Sequence, residues 1–456
     1  MSSIPLIPPS TSQYTPHLII SVSLACLHSL QYGYHMSELN APESYIKDEL
    51  SLTPSQIGFI TSIFSIGGLI SSTLAGSISS KYGLRLSFII TSIFYIIGSM
   101  LEYLAYDLIS MSIGRFISGL GAGLALVFVP LYINQISPLH LRGLLGSMNQ
   151  VCVNLGILIT QLLGIIWANS INWRLILLFA SLIGSIGLIL SLFFLDESPK
   201  WIIINEKNDT KGLKILLKLR LNEQDCLNEI KQWKLEHLEY LSMIQDTPIK
   251  LNLINYLKNP IYNNSKMVAM FTMIGQQFSG INSIIFYGVK ILNESFPTNS
   301  IFINCLISFG NMIITFISSL YLDKLGRKPM LKLSISIMSL TSFGLSLGIL
   351  FNNSKLTIIS IFSYVCSFAI GVGPIPFLLI SEVSQLEVKD LAQSFATDCN
   401  WISCFMVGLM FPILNGLIGG YVYLIFTLVC ILFYFFISLK LPETKGKYTY
   451  NEVWGR

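Results

Sequence analysis

Long apolar runs are the feature that most limits what this chain can fold into. An α-helix needs roughly 20 mostly apolar residues to cross the ~30 Å hydrocarbon core of a bilayer. About twelve such runs follow one another, at 17–36, 56–78, 86–105, 110–133, 145–167, 173–195, 266–289, 301–322, 330–350, 356–380, 391–416 and 420–440. Only 11% of the 456 residues are charged, compared with about a quarter in soluble domains. The sequence therefore predicts an all-α membrane protein with twelve transmembrane helices, because a β-barrel would show alternating segments of ~10 residues.

A polar stretch after the sixth run divides the chain into two sets of six spans. The predicted segments are a disordered cytoplasmic tail at 1–16, an N-terminal six-helix half at 17–195, a cytoplasmic loop at 196–265, a C-terminal six-helix half at 266–440 and a cytoplasmic tail at 441–456. Apolar residues at helical spacing in the loop predict short amphipathic helices at 211–220 and 226–241. The loop is too short for a soluble catalytic domain and has no catalytic constellation, so the chain is predicted not to be an enzyme.

Basic residues in the short loops predict the orientation of the spans. Most of them fall on one side, at Lys81, Arg85, Arg142, Lys324, Arg327, Lys328 and Lys389, whereas the other side has little beyond Lys47, Lys290 and Lys355. The positive-inside rule makes the first side cytoplasmic and places both termini there. Asn293 and Asn352 begin glycosylation sequons on the opposite side, although such short sequons also occur by chance.

Charge and cysteine usage exclude several classes of function. The net charge of +4 is modest and predicts no nucleic-acid partner. The eight cysteines are scattered through mostly apolar segments. Without a CxxC pair or a Cys/His cluster they predict neither a metal site nor a disulfide framework. No cofactor is predicted.

The two halves of the chain repeat each other. The loop GSISSKYGLR (76–85) matches SLYLDKLGRK (319–328), and DESPK (196–200) after the sixth span matches PETKG (442–446) after the twelfth. A duplication of six spans is typical of secondary transporters, which bind their substrate between the repeats near the bilayer midplane.

Amide side chains within the apolar runs indicate a polar solute. The segment QQFSGIN (276–282) carries two glutamines and an asparagine, and further amides lie on other spans at Gln161 and Asn311. Amides offer paired donors and acceptors, as a polyhydroxylated solute requires. The three amides of the segment 276–282 can line one cavity only if the helix unwinds near Gly280. Intramembrane amides also tie helices together, but this many around a glycine favour a binding site.

Several longer motifs share the wording of a known family. They are GRFISGLGAG (114–123), VPLYINQISPLHLRG (129–143), DESPKWIII (196–204), QQFSGINSIIFYG (276–288), DKLGRK (323–328), GPIPFLLISE (373–382), NW (400–401) and PETKG (442–446). In content and spacing they resemble the sugar porter family of the major facilitator superfamily over roughly residues 20–450, in wording closest to a fungal subgroup partly associated with the vacuole. The resemblance implies two pseudo-symmetric six-helix halves that move a hexose or related polyol by alternating access. It also implies a monomer with the lipid bilayer as its surroundings.

The resemblance also implies roles for individual residues. The family's sugar-binding positions fall on Gln161, Gln276, Gln277, Asn282, Asn311, Asn400, Trp401 and Phe377, of which Trp401 matches an aromatic residue that stacks on the sugar. The gating positions fall on Tyr287 and Phe286. Independently of the resemblance, Pro374 and Pro376 are expected to break the tenth span and to form a gating hinge beside the cavity. Two departures stand out, since Ala369 replaces a common acidic residue and Phe377 a common tryptophan. A charge-assisted hydrogen bond contributes ~1.5–3 kcal/mol, so glucose itself is not predicted as the substrate.

A cytoplasmic charge network is a further implication of the resemblance. In sugar porters such charges join the halves by salt bridges when the carrier faces outward, and the matching residues are Arg85, Arg142, Glu197, Lys200, Asp323, Arg327, Glu382 and Lys389. The N-terminal half lacks part of the set, because Leu84 and Gln135 replace a usual arginine and glutamate. We expect Arg142, Glu197 and Lys200 to form a smaller cluster and the carrier to open inward more easily. Alternatively, the basic residues only orient the helices.

His35, in QYGYHMSELNAP (31–42), stands where the family has aspartate in proton symporters and asparagine in passive carriers. It is interpreted first as a neutral hydrogen-bonding residue, with pH sensing and direct proton coupling as alternatives. Glu38 is the nearby carboxylate on the same helical face. Transport is accordingly predicted to be facilitative, with proton linkage as the second choice. A non-transporting sugar sensor or trafficking protein on the same scaffold is the other alternative, and the plasma and vacuolar membranes are both open.

Overall fold

The computed structural model describes residues 15–138, 141–246, 253–385, 388–447 and 450–455, and no strand occurs among them. The N-terminal half comprises α1 (Pro16–Ser37), α2 (Glu43–Glu49), α3 (Pro54–Tyr82), α4 (Leu84–Tyr103), α5 (Leu108–Ile136), α6 (Arg142–Trp167) and α7 (Arg174–Phe193). All except the short helix α2 are long enough to cross a membrane. The first fourteen residues of the predicted tail lie outside the described residues.

The described part of the polar loop contains four α-helices, two more than the two predicted. They are α8 (Pro199–Ile204), α9 (Asp209–Leu219), α10 (Glu223–Asp246) and α11 (Leu253–Lys258). The C-terminal half follows with α12 (Asn263–Phe278), α13 (Ile281–Ser295), α14 (Ser300–Leu325), α15 (Arg327–Leu350), α16 (Ser354–Ile370), α17 (Ile375–Val383), α18 (Lys389–Ile418) and α19 (Val422–Lys440), and α20 (Tyr450–Trp454) closes the described chain. Paired as α12–α13 and α16–α17, these helices give six spans, so the described chain crosses twelve times.

Both described ends of the chain therefore lie on one side, which we call the inner side; the sequence predicts it to be cytoplasmic. Among the described residues, nine helical stretches meet the length and hydropathy expected of a membrane span. One of them, Leu391–Lys440, runs through two spans. The first span is less apolar because it carries His28, Gln31 and His35. The seventh is divided into helices of 16 and 15 residues.

Local sequence explains where several spans begin. Thr53 and Gln56 form a capping box at the start of α3, and Asp107 and Ser110 form one at the start of α5. Each box satisfies backbone N–H groups that the first helical turn leaves free. Pro54 occupies the first turn of α3, where its missing N–H costs nothing.

Each half is held together by close helix packing, and two helix pairs provide the most extensive packing between the halves. Within the N-terminal half α3 and α4 pack on α5, and α1 packs on α6; within the C-terminal half α15 packs on α16 and α19. Between the halves α3 packs on α18 and α6 on α14. A Cβ atom at Gly156 of α6 would lie 1.9 Å from the carbonyl oxygen of Leu30 on α1. Only glycine allows that approach, as is common for helices in lipid.

Candidate functional site

The centre of the C-terminal half is built around two broken spans. α12 ends at Phe278 and α13 begins at Ile281, and Gly280 between them has φ +98°, which favours glycine. The break predicted at Gly280 is therefore present. The tenth span is interrupted between α16 and α17, where Pro374 and Pro376 lie at the start of α17.

Gln276 joins the two breaks. Its Nε2 donates hydrogen bonds to the carbonyl oxygens of Val372 (2.7 Å) and Gly373 (3.0 Å). These carbonyls belong to the unwound turn of the tenth span and have lost their regular helical partners. The side chain of the seventh span thus stabilises the irregular backbone of the tenth, which a protein can hold at membrane depth only with such partners.

A chain of amides continues from Gln276. Asn400 Nδ2 donates to Gln276 Oε1 (2.7 Å), and Gln277 Nε2 donates to Asn400 Oδ1 (3.0 Å). Asn282 Nδ2 then donates to Gln277 Oε1 (2.5 Å). All four side chains are buried. The structure therefore brings together four of the eight predicted binding residues in one hydrogen-bonded network spanning α12, α13 and α18.

Other predicted binding residues carry buried polar atoms without a partner. Both Nε2 and Oε1 of Gln161, Oδ1 of Asn311 and Nε1 of Trp401 are buried and make no hydrogen bond among the described residues. A buried polar group left unpaired costs ~1–3 kcal/mol. Gln161 and Asn311 lie on α6 and α14, which pack against each other between the halves. A solute that hydrogen-bonds these atoms would remove that cost.

The remaining aromatic residues of the prediction occupy different places. Tyr287 is buried, and its hydroxyl donates to the carbonyl oxygen of Gly408 (2.8 Å) on α18. Phe286 lies edge-on to it, with ring centroids 6.2 Å apart. Phe377 instead packs with an inner-side apolar cluster that includes Tyr262 and Met273. The two predicted gate aromatics are thus adjacent, and Phe377 lies on the inner side of the amide network.

Glutamates of the repeated loop motifs cap equivalent helices in the two halves. Glu197 accepts from the backbone N–H groups of Leu84 (2.8 Å) and Arg85 (3.0 Å), where α4 begins. Glu443 accepts from those of Arg327 (3.0 Å) and Lys328 (3.1 Å), where α15 begins. A carboxylate at a helix N-terminus is stabilised by free N–H groups and by the helix dipole. Burial nevertheless raises the pKa of Glu197 above its ordinary value.

Among the described residues, Arg142, Glu197 and Lys200, which were expected to form a smaller cluster, each have a different partner. Arg142 Nε donates to the carbonyl oxygen of Ser137 (3.3 Å), and Lys200 pairs with Glu236 (3.1 Å). The carboxylate of Glu197 is bound by the N-terminus of α4, and the cytoplasmic charge network of the outward-facing carrier stays a prediction.

In the C-terminal half Arg327 pairs with Glu382 (2.9 Å). The two other residues predicted for that network are Asp323, whose side chain lies outside the described residues, and Lys389, the first residue of α18.

A buried cluster around His35 includes residues that the sequence did not single out. His35 Nδ1 donates to Glu38 Oε1 (2.8 Å), and Arg115 Nη1 lies 2.5 Å from the same oxygen and 3.9 Å from Glu102 Oε2. Ser118 Oγ donates to the other oxygen of Glu102 (2.6 Å). All four ionisable side chains are fully buried. Arg115 lies in the GRF motif, which is the one signal that could have suggested it.

This cluster does not suit a metal ion. His35, Glu38 and Glu102 each offer one ligand atom within 4.8 Å of the others. However, the guanidinium of Arg115 already occupies the space between the carboxylates, and it stacks on Phe64 at 4.6 Å. A divalent cation placed there would face a fixed positive charge in a medium of low dielectric constant.

A twelve-span bundle with two broken helices and an amide network at its centre has the architecture of a major facilitator transporter. The family model described as "Sugar (and other) transporter" matches residues 21–454. The chain belongs to this sugar porter family, which consists of membrane transporters and not of enzymes. Both the predicted fold class and the family resemblance are confirmed.

Individual relatives and structures agree with this assignment. A probable metabolite transport protein of Saccharomyces cerevisiae is 40% identical, covering 96% of this chain and 95% of its own. Vacuolar protein sorting-associated protein 73 of the same yeast is 34% identical, covering 94% of this chain and 94% of its own. The facilitated glucose transporter member 3 of Rattus norvegicus is 31% identical, covering 97% of this chain and 93% of its own. A partially occluded, inward-open structure of the xylose transporter XylE from E. coli superposes with a TM-score of 0.81 at 22% identity, covering 95% of this chain and 99% of that one. That likeness concerns the fold.

Proposed function

We propose that this protein carries a hexose or a related polyol across the membrane by alternating access between its two halves. The observations that support the proposal most are the unpaired buried polar atoms on Gln161, Asn311 and Trp401 and the connected buried amides of α12, α13 and α18. Neutral donors and acceptors without a net charge suit hydroxyl groups and reject ions.

The amide network also limits which sugar fits. The donor hydrogens of Gln276 are taken by the carbonyls of the tenth span. The sugar hydroxyls would therefore be bound by Gln161, Gln277, Asn282, Asn311 and Asn400, with Trp401 against the ring. Ala369 is buried and supplies no carboxylate. A binding site without that charge loses ~1.5–3 kcal/mol at one hydroxyl, so we propose a substrate preference different from that of the glucose-carrying relatives.

Interactions between the halves support alternating access. On the inner side, Arg327–Glu382 lies within the C-terminal half, and the described ion pairs of the polar loop stay with that loop and the N-terminal half, as His17–Asp196 and Lys200–Glu236 do. On the outer side, Lys290 of α13 pairs with Glu43 across the halves (2.8 Å). We propose that this geometry corresponds to a carrier closed on the outer side.

Proton-linked transport is a second candidate mode. The charges around His35 favour it over the facilitative mode, which was predicted from His35 alone. Two carboxylates, Glu38 and Glu102, face one guanidinium, Arg115, and a neutral imidazole leaves the buried cluster with one negative charge in excess. Uncompensated buried charge is strongly unfavourable, and one proton would remove it. Each carboxyl group has an oxygen without a hydrogen-bond partner among the described residues, and the proton would belong to the pair rather than to either residue.

A reconstitution experiment tests the transport proposal. The full-length protein is placed in liposomes preloaded with one sugar, and counterflow of a labelled panel of hexoses, pentoses and polyols is measured. We expect counterflow of at least one of them, lost in Gln161→Ala and kept in Asn353→Ala, a matched substitution on the outer surface. The absence of counterflow for the whole panel, with correct insertion shown, would favour the sensor or trafficking alternative, which the 34% identical sorting-associated relative keeps open.

The same liposomes test the mode. With one proton moved per sugar, a gradient of one pH unit drives about tenfold accumulation. We expect that accumulation in the natural protein and its loss in Glu102→Gln, while counterflow continues. Counterflow with no accumulation in the natural protein would establish the facilitative mode.

Location and topology complete the proposal. We propose a monomer in the plasma or vacuolar membrane, with both termini in the cytoplasm and with the segment boundaries predicted from the sequence. Asn293 and Asn352 are exposed on the outer side, where a glycan could be attached. A mass shift on deglycosylation, absent from the double Asn→Gln variant, would support this orientation.

A further inference from the structure

The segment that follows α1 reaches across to the other half of the protein through Asn40. This side chain is 2% exposed. Its Oδ1 accepts a hydrogen bond from the backbone N–H of Val289 (2.9 Å), and its Nδ2 donates to the carbonyl oxygen of Ile285 (2.8 Å). Both partners belong to α13, so a side chain of the N-terminal half binds the backbone of the C-terminal half twice.

The two backbone groups that Asn40 binds are four residues apart. In a regular α-helix the N–H of residue 289 would donate directly to the carbonyl of residue 285. The amide of Asn40 therefore binds both the donor and the acceptor of one turn of α13, which is helical throughout Ile281–Ser295. The turn in question contains Phe286 and Tyr287, the two adjacent gate aromatics.

The next residue of α13 adds an ionic contact to the same place. Lys290 Nζ lies 2.8 Å from Glu43 Oε1, and the Glu43 side chain is 8% exposed. Asn40 and Glu43 thus hold three residues of α13, namely Ile285, Val289 and Lys290. Lys290 is 40% exposed, so the ion pair is partly screened by water, whereas the amide contact is fully enclosed.

We propose that Asn40 is a positioning residue of the outer gate. While the halves are closed on the outer side, its amide binds both ends of one turn of α13 and holds the turn that carries Phe286 and Tyr287 against α18. When the halves separate there, the amide leaves and both of its hydrogen bonds to α13 are lost. The energy of the closed gate therefore depends on this one side chain.

The chemistry of asparagine explains why this residue is suited to the task. A carboxamide presents one donor and one acceptor side by side, which match the carbonyl and the N–H of one turn. Aspartate would accept from Val289 and repel the carbonyl of Ile285. Alanine would remove both hydrogen bonds to α13. Glutamine keeps the amide and displaces it by one methylene group.

The experiment measures the conformational equilibrium directly, without sugar. Spin labels on non-natural amino acids replace Tyr106 and Thr298, which are exposed on the outer side of opposite halves, and pulsed dipolar spectroscopy gives the populations of short and long distances. Two lost hydrogen bonds of ordinary strength should raise the ratio of open to closed outer gates about 5- to 150-fold in Asn40→Ala. Asn353→Ala serves as the matched control, because Asn353 caps α16 on the same side and within its own half.

The outcomes separate this inference from the proposed function, on which its role in transport rests. An open population that rises in Asn40→Ala, rises less in Asn40→Gln and is unchanged in Asn353→Ala supports the positioning role, even if no sugar is transported. A population equal to that of the natural protein in both Asn40 variants overturns it. If Asn40→Ala does not fold, Asn40→Gln alone decides, since the amide is retained and the geometry is not.

Discussion

Gly68 provides the sharpest test of how the two halves meet at the proposed binding site. A Cβ atom at Gly68 of α3 would lie 2.7 Å from Cε2 and Cζ2 of Trp401 on α18. Carbon atoms are best separated by about 3.5–4.0 Å, so the indole ring would have to move by roughly 1 Å. The ring is 1% exposed and has the edges of Tyr32 and Phe64 beside it, at 5.9 and 6.1 Å between centroids.

Since the buried Trp401 ring is flanked by these two aromatic rings, Gly68→Ala acts as overpacking. Such changes cost about 1–3 kcal/mol, which corresponds to a factor of about 5 to 150 in an equilibrium constant. We expect a lower midpoint of thermal unfolding and weaker sugar binding by a factor in that range, measured as the half-saturating concentration for counterflow. Gly76→Ala on the same helix is the control, because a Cβ atom there meets no other heavy atom within 4 Å.

Identical thermal stability and identical sugar affinity in the two glycine variants would refute this reasoning. A loss of affinity without a loss of stability would instead indicate that the ring moves easily and that only its contact with the sugar depends on its position.

Two further predictions concern charges outside the spans. Glu443→Gln should lower thermal stability by ~1–3 kcal/mol, because the carboxylate accepts from the N–H groups at the start of α15, including that of Arg327; the midpoint of thermal unfolding measures it. Hydrogen bonds from Arg174 and from the indole of Trp173 lower the pKa of Glu49. The stabilisation by Glu49 is therefore present above the ordinary glutamate pKa of about 4.3 and is lost as the pH falls through the lowered value, so the thermal stabilities of the natural protein and Glu49→Gln should converge below that range.

Each of these predictions has its own control. Glu206→Gln removes an exposed carboxylate whose ion pair among the described residues is with Lys211, and a stability loss as large as that of Glu443→Gln would argue against the capping role. For Glu49→Gln, a difference in stability that stays constant from neutral to acid pH would contradict the assigned pKa shift.

The fold was largely predictable because lipid imposes a simple rule. Every span must satisfy its own backbone and present apolar side chains, so the length of apolar runs locates helices directly. The break in the seventh span was predictable for a related reason. Gly280, placed among three amides, marks a backbone that needs a positive φ and partners for its free carbonyls. In the tenth span, Pro374 and Pro376 mark the interruption of the helix in the same way.

The contacts that join distant spans were not predictable in the same way. Glu102 stands at the end of an apolar run, where a charged residue usually marks the membrane surface, and only the packing of α1, α4 and α5 buries it beside Arg115. Asn40 has no sequence signal for its role, because its partners are backbone groups 245 and 249 residues away. The partners of Glu197 were not predictable for a similar reason, since backbone N–H groups compete for a carboxylate and leave no trace in the sequence.

The unequal placement of the broken helices has a consequence for how the movement is followed and controlled. Both interruptions, between α12 and α13 and between α16 and α17, lie in the C-terminal half, whereas the spans of the N-terminal half are continuous. The two halves are therefore not equivalent in movement: the N-terminal half moves as a rigid body, and the C-terminal half can bend at its two interruptions. We expect antibodies against the N-terminal half to be usable as imaging markers without stopping transport. We expect compounds that bind beside Gln276, which connects the two interruptions, to stop it.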